Sequence, residues 1–233
     1  MKGQFLKLIE GFREKKILVI GDIMLDKYLK GDVSRISPEA PVPIVTVNDE
    51  RFVPGGAANV ASNIAALGGN ALMAGVIGDD AAGHLVVDEL QRRGIDTKSV
   101  IIDVKKPTTQ KIRVVAQNQQ LLRIDYEDTG YVHPATETKV IQAIKAVMQD
   151  ADAIVVSDYA KGVITSELMK FVQAARSSKV LIVDPKPKHK IMYANASIIT
   201  PNLKEAKELA RNEESDVKTI GSQLVLELAS TIL

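Results

Sequence analysis

Ile17-Leu18-Val19-Ile20-Gly21-Asp22-Ile23-Met24-Leu25-Asp26 begins as an unbroken aliphatic run, meets a glycine, and then carries two aspartates four positions apart. A strand with one wet face alternates apolar and polar residues. A continuous run such as Ile17–Ile20 instead suits a strand buried on both faces, the mark of a parallel sheet covered by helices. In open α/β sheets ligands bind beyond the carboxyl ends of the strands, which is where Asp22 and Asp26 fall. Asp22 serves equally well as a turn or capping residue; Asp26 reads as a ligand-facing carboxylate.

Downstream the same pattern returns. The sequence predicts strands over 71–77, 100–104, 153–156, 180–183 and 196–199, alternating with helices over 80–93, 134–149, 166–177, 203–211 and 220–233. A short amphipathic helix over 5–13 leads the chain. Strand and helix in alternation imply a doubly wound, mostly parallel α/β sheet with right-handed crossovers. Two segments break the rhythm. Residues 31–49 are punctuated by Pro38, Pro41 and Pro43 before an edge strand at 43–47, and residues 110–126 hold two candidate strands around Gln117-Asn118-Gln119-Gln120. Together they suggest a small β flap beside the main body, of the kind that closes over ligands.

Polar chemistry gathers at the strand ends. Pro54-Gly55-Gly56-Ala57-Ala58-Asn59 leads into a helix of small residues. Two glycines let a ligand approach the main chain, and the helix start offers unpaired N–H groups, although a tight loop with close helix packing explains the same residues. Ser157-Asp158-Tyr159-Ala160-Lys161-Gly162, Asp184-Pro185-Lys186-Pro187-Lys188 and Thr200-Pro201-Asn202-Leu203-Lys204-Glu205 follow three successive strands and converge on one rim. Lys161, Lys186 and Lys188 are placed to neutralise phosphate, and Asn202 with Glu205 to hold hydrated magnesium. A solvated basic turn and a helix capping box are the competing readings.

Composition narrows the field. A 233-residue chain with a formal net charge of +1 projects no global field toward nucleic acid or anionic membrane. It has no cysteine, hence no disulfide framework and no thiolate chemistry. His84, His133 and His189 are far apart, outside any metal-binding spacing, and suit packing or solvated roles. No apolar run reaches membrane-spanning length, and residues 1–16 lack the apolar core of a signal peptide, so a cytoplasmic protein is expected. No G-x-G-x-x-G follows Ile17–Ile20 and no Walker A sequence occurs, which disfavours dinucleotide and P-loop enzymes.

Taken as a set, Gly21–Asp26, the glycine run from Gly55 and Asn202-x-x-Glu205 resemble the ribokinase-like sugar kinases of the PfkB family. Arg35-Ile36-Ser37-Pro38-Glu39-Ala40-Pro41-Val42-Pro43, Asn118-Gln119-Gln120-Leu121-Leu122-Arg123 and Ser157-Asp158-Tyr159 look like its D-glycero-β-D-manno-heptose-7-phosphate kinase branch, which serves ADP-heptose and lipopolysaccharide synthesis. The resemblance runs from about residue 16 to residue 205. It implies one ribokinase-like domain over 1–233, with lid segments at about 31–49 and 110–126, a homodimer formed through the lid, and ATP with Mg2+ as cofactors. It also implies phosphorylation of the C1 hydroxyl of heptose 7-phosphate. By the same resemblance Asp26, Gly55, Gly56 and Asn59 bind the sugar, and Asn202 and Glu205 organise magnesium and phosphates through water. Arg113, Lys161 and Lys186 are assigned to phosphate groups from charge and position.

One departure is large. The family's second signature, Asp-Thr-x-Gly-Ala-Gly-Asp, supplies the anion hole and the catalytic base, and nothing like it follows Glu205, where the sequence has one glycine, Gly221, and one aspartate, Asp216. The base would lie beyond Leu233. The expectation is a kinase domain crippled as this chain, or alternatively a non-catalytic sugar-phosphate-binding or dimerising module of the same fold.

Overall fold

The computed structural model describes residue 7 and residues 9–233. Most of the front of the predicted leading helix lies outside the described residues; within them the segment ends in a 3-10 turn at Gly11–Glu14.

Strand β1, Lys16–Ile36, is the axis of the molecule. Its first third pairs in parallel with β3 (Asn70–Gly78) on one side and β7 (Ala153–Ser157) on the other. Outward from β3 lies β4 (Asp96–Asp103); outward from β7 lie β8 (Val180–Asp184), β9 (Ile198–Ile199) and β10 (Thr231–Ile232). The order β10-β9-β8-β7-β1-β3-β4 is parallel throughout. The chain first builds toward β4 and then returns past β1 to build the other way, so the reversal of winding falls between β1 and β7. That is where an open α/β sheet leaves a crevice.

Both faces are covered, as the aliphatic run requires. Leu18 and Ile20 point to one face, against Val140 and Ile144 of α3 (Pro134–Val147), Leu168 and Val172 of α4 (Ser166–Ala175), and Leu209 and Leu224 of α5 (Leu203–Ala210) and α6 (Val217–Leu228). Val19 points to the other, against Ala57, Ala58 and Ala61 of α1 (Ala57–Ala66) and Val86 and Leu90 of α2 (Ala81–Arg92). All three β1 residues are fully buried. Among the described residues no helix is long and apolar enough to cross a membrane.

Beyond Asp22 the same strand leaves the main sheet and becomes the middle of a second one. From Ile23 to Ile36 it pairs antiparallel with β2 (Pro43–Gly56), and from Met24 to Gly31 in parallel with β5 (Thr109–Ala116). β5 turns through Gln117 and Asn118, both at positive φ, into the antiparallel β6 (Gln119–Tyr126). Paired left-handed residues match the twist of a two-residue hairpin. The strands of this second sheet are longer than the sequence suggests. In residues 31–49 the strand expected at 43–47 is the start of a longer one: β1 runs on to Ile36, and β2 begins at Pro43 and continues to Gly56. Charged residues on its solvent face hide the pattern.

The chain end also differs. The predicted helix over 220–233 starts earlier, at Val217, where Asp216 accepts from the N–H groups of Lys218 and Thr219. It stops at Leu228; Ala229 takes a left-handed conformation, and Thr231–Ile232 pair with Ile198–Ile199. Ser230 and Thr231 interrupt the apolar residues at the break, and the Ser230 hydroxyl donates to the Leu228 carbonyl oxygen at 2.9 Å.

Candidate active site

The crevice between β1 and β7 is organised by Asp22. Its side chain is 1% exposed and accepts hydrogen bonds from the backbone N–H groups of Tyr159 (2.8 Å), Lys161 (3.1 Å) and Val163 (3.1 Å). Burial pushes its carboxyl above the usual range, opposed by these three bonds. Of the two readings left open for Asp22, the structure supports the turn: the carboxylate fixes the loop after β7 and has no free face for a ligand. Gly21 is required by the same packing, because a Cβ there would lie 2.1 Å from the Ser157 carbonyl oxygen.

Asp26 stands four residues on, where β1 has entered the second sheet. Its Oδ1 accepts from Arg113 at 2.5 Å, and the Arg113 guanidinium lies 5.2 Å from the centre of the Tyr28 ring. Directly opposed residues share a face of a sheet. One row across β6, β5, β1 and β2 therefore holds Asp125, Lys111, Asp26 and Val53, and the next holds Arg123, Arg113, Tyr28 and Arg51. The ion pairs follow from this register: Lys111 to Asp125 at 3.3 Å, Arg123 to Asp125 at 2.8 Å. Lys161, from the loop that Asp22 fixes, reaches Glu127 just after β6 at 2.7 Å. The inward face of the second sheet is thus a charged floor that contains Asp26, Arg113 and Lys161 together.

The glycines explain the space around Asp26. A Cβ on Gly55 would lie 2.4 Å from Asp26 Oδ2, so only glycine leaves the carboxylate where it is. Gly56 has φ +56 and ψ −134 and no side chain to cap α1, so the first N–H groups of the helix stay available beside that carboxylate. Asn59 is exposed on the first turn.

A second group of charges rims the ends of β8 and β9. Asn202 and Glu205 form a reciprocal capping box at the start of α5: Asn202 Oδ1 accepts from the Glu205 N–H at 3.0 Å, and Glu205 Oε2 accepts from the Asn202 N–H at 3.1 Å. The other Glu205 oxygen pairs with Lys186 Nζ, whose ammonium also lies 5.5 Å from the Tyr159 ring centre. Burial, reinforced by repulsion from Glu205, pushes the Asp184 carboxyl up to about 6. Among the described residues no three His, Asp or Glu side chains converge into a ready-made cage. Both Glu205 oxygens are thus engaged, which leaves the half-buried Asp184 carboxylate as the group a magnesium ion would meet on this rim, in keeping with an ion that retains several of its own waters.

Sequence reasoning left Tyr159 and Asp184 without a role and set His189 aside. Tyr159 stands beside the rim, its ring centre 5.5 Å from the Lys186 ammonium, and burial, reinforced by the charge of Asp184, raises its hydroxyl. Beneath the rim, fully buried Asp158 accepts from Tyr193 at 2.6 Å and bonds His189 Nδ1 at 2.6 Å, while His189 Nε2 meets the Tyr131 hydroxyl at 3.0 Å. Tyr193 in turn accepts from the Lys186 N–H at 3.0 Å, so this network fixes the backbone that carries Lys186. Its packing role was legible for His189; the partners, 31 and 35 positions from Asp158, were not.

A crevice at the winding reversal of a parallel sheet, with an arginine-paired carboxylate on one side and a carboxylate–lysine rim on the other, is the arrangement of a ribokinase-like fold. The pfkB family carbohydrate kinase model matches residues 14–232, and the chain belongs to that family. Among curated relatives, the "Bifunctional protein HldE" of Helicobacter hepaticus (strain ATCC 51449 / 3B1) is 43% identical over 200 residues, covering 85% of this chain and 41% of that protein. The protein of the same name from Caulobacter sp. (strain K31) is 40% identical over 235 residues, covering 100% of this chain and 46% of its own length. The chain therefore spans less than half the length of these relatives. Solved structures agree on the fold: the tetrameric inhibited form of phosphofructokinase-2 from Escherichia coli superposes with a TM-score of 0.71 at 19% identity, covering 93% of this chain and 71% of that one. A carbohydrate kinase from Agrobacterium tumefaciens gives 0.68 at 19% identity, covering 94% and 70%.

Proposed function

We propose that the chain is the sugar-binding and magnesium-binding part of an ATP-dependent kinase that phosphorylates the C1 hydroxyl of D-glycero-β-D-manno-heptose 7-phosphate. The observation that carries the reading is the loop after β7, which sets Tyr159 against the Lys186 ammonium at 5.5 Å and Lys161 against Glu127, just past β6, at 2.7 Å. In this reading the loop joins the rim to the floor that holds Asp26. The choice of heptose rests on the resemblance of residues 35–43, 118–123 and 157–159 to the heptose kinase branch, and the HldE-named relatives support it.

In this reading Asp26 accepts sugar hydroxyls and is oriented by Arg113. Gly55 and Gly56 open the backbone to the sugar, Asn59 lines the same side, and Arg113 and Lys161 meet the sugar's own phosphate. Lys186 neutralises the transferred group, and Asn202, Glu205 and Asp184 hold hydrated magnesium. ATP supplies the phosphoryl group, and magnesium screens its charge. Phosphoryl transfer gains most from such positioning and neutralisation. The second sheet acts as a lid over the sugar. Its outer face carries Leu122, Ile124 and Tyr126 at 49%, 39% and 54% exposure and makes the contact of a homodimer in a cytoplasmic protein. The sequence contains no Asp-Thr-x-Gly-Ala-Gly-Asp stretch. A missing base and anion hole each cost about 10²-fold or more, so these 233 residues alone are expected to bind sugar phosphate but turn over slowly.

Calorimetry with heptose 7-phosphate and with magnesium ATP separately, alongside ADP release, tests this. Heptose 7-phosphate binding that disappears in Asp26→Asn supports the reading. Sugar binding with neither nucleotide binding nor turnover favours the non-catalytic module. Rapid turnover indifferent to Glu205→Gln sinks the assignment of the rim.

A further inference from the structure

The cations on the floor of the second sheet are not free. Lys161 Nζ and Lys111 Nζ both approach the same oxygen of Glu127, Oε2, at 2.7 and 3.8 Å. The three side chains are only 16%, 18% and 26% exposed. Lys161 belongs to the loop that Asp22 ties to the main sheet, whereas Lys111 stands on β5 of the second. Glu127 lies just past the end of β6, so its side chain can turn away without breaking a strand pairing, while Lys106 Nζ holds the backbone that follows through the Asp128 and Gly130 carbonyl oxygens, both at 2.7 Å. One oxygen between two ammonium groups is the environment a phosphate oxygen takes among lysines.

We propose that Glu127 is an internal stand-in for the substrate's phosphate, holding Lys111 and Lys161 in the receiving position until a phosphorylated sugar displaces it. This rests on the sugar-phosphate reading above. The charge tally supports exchange: Arg51, Lys111, Arg113, Arg123 and Lys161 share this side with Asp26, Asp125 and Glu127, two positive charges in excess. A phosphate monoester brings about −2 at neutral pH and outcompetes a single carboxylate for two lysines. A neutral sugar brings nothing with which to dislodge Glu127. Glu127 therefore makes the site discriminate in favour of phosphorylated sugars, while keeping two half-buried lysines paired in the free protein.

The alternative is a plain strut in which Lys161–Glu127 only ties the second sheet to the first. The two differ in sign. Calorimetric titrations of the chain with heptose 7-phosphate, fructose 6-phosphate and unphosphorylated heptose are made for the unaltered protein, Glu127→Gln and Lys161→Met. As a stand-in, Glu127→Gln tightens binding of the phosphorylated sugar by about fivefold at low salt, from loss of one repulsive charge near the phosphate, and leaves the neutral sugar unchanged. Lys161→Met weakens the phosphorylated sugar. A strut weakens both variants alike, and that result, or an unchanged affinity in a Glu127→Gln protein with an unaltered melting midpoint, overturns the proposal. Glu127→Ser, read the same way, replaces Gln if that variant does not fold. The same signs seen with fructose 6-phosphate but no binding of heptose 7-phosphate overturn the heptose reading and keep the role of Glu127. Absence of binding by either ester, in the unaltered protein and Glu127→Gln, overturns both.

Discussion

Gly55→Ala separates the demands of the site from those of the fold. The new methyl would start 2.4 Å from Asp26 Oδ2, whereas its next neighbours are the carbon of the same carboxylate at 3.0 Å and Met24 Cβ at 3.4 Å. A carbon–oxygen contact relaxes to about 3.3 Å, so the carboxylate must retreat by roughly 0.9 Å. It can, since it is the far end of a side chain on a solvent-reaching sheet, 22% exposed. Stability should therefore fall by no more than about 1 kcal/mol. Function should not be so tolerant. A displaced Asp26 gives up its short bond to Arg113 and one or more hydrogen bonds to sugar hydroxyls, each charge-assisted bond worth about 1.5–3 kcal/mol, or roughly ten- to 150-fold in affinity. Gly56→Ala is the matched contrast. Its φ is +56 and its Cβ would stand 2.4 Å from the backbone oxygen of Asp22, which cannot retreat without disturbing the crevice loop. That variant should lose several kcal/mol of stability from strain and overpacking together. Thermal melts with heptose 7-phosphate calorimetry read both. A Gly55→Ala protein that binds the sugar as tightly as the parent, or that melts as early as Gly56→Ala, refutes the placement of Asp26 and Gly55.

Two further outcomes follow from the rim and the outer face. The Asp184 carboxyl, raised to about 6, binds a proton in the folded chain that the unfolded chain has already released above about 4, so its contribution favours the native state at low pH and fades as pH rises through 6. Magnesium needs the ionised form; the rise in melting temperature on adding magnesium should grow between pH 5 and 7 and lose that dependence in Asp184→Asn. On the outer face, the register puts Leu122 beside Val114 and Leu29, and Ile124 beside Ile112, in one apolar array. The double variant Leu122→Lys with Ile124→Lys should shift the sedimenting species from dimer to monomer while melting normally; an unchanged mass removes the second sheet as the dimer contact.

The parts of this molecule that repeat a simple rule were readable in advance. Ile17–Ile20 announces a strand buried on both faces, and Leu18, Val19 and Ile20 are indeed fully buried with alternate residues in opposite cores. Asn202 with Glu205 announces a capping box, and the box is there. What was hidden depends on contacts between distant residues. The sequence around Gly31–Asp49 is rich in charge and proline because its strands have one solvent face and an irregular register, with shifts at Lys30/Gly31 and Val33/Arg35. Local patterns therefore understate it. Asp22 was open to a turn or a ligand role until the N–H groups of Tyr159, Lys161 and Val163, more than 130 positions away, were seen to occupy it. The bonds that join Asp158, His189 and Tyr193 escaped notice because a buried polar network has no period and no spacing.

The difference between the two aspartates comes from a single structural decision, that one strand serves two sheets. From Leu18 to Asp22, β1 lies buried between β3 and β7, where a carboxylate must find its partners within the protein. From Ile23 onward it lies between β2 and β5, where one face looks back over the crevice. The same residue type four positions apart is thus a structural anchor in one sheet and a candidate ligand in the other. The backbone between them is continuous strand, so a shift of the second sheet relative to the first must pass through Ile23–Leu25, which are at most 2% exposed. Closure of the proposed lid would accordingly bend β1 about that buried segment, and would carry Asp26, Arg113 and Lys111 together toward Lys161 and the rim.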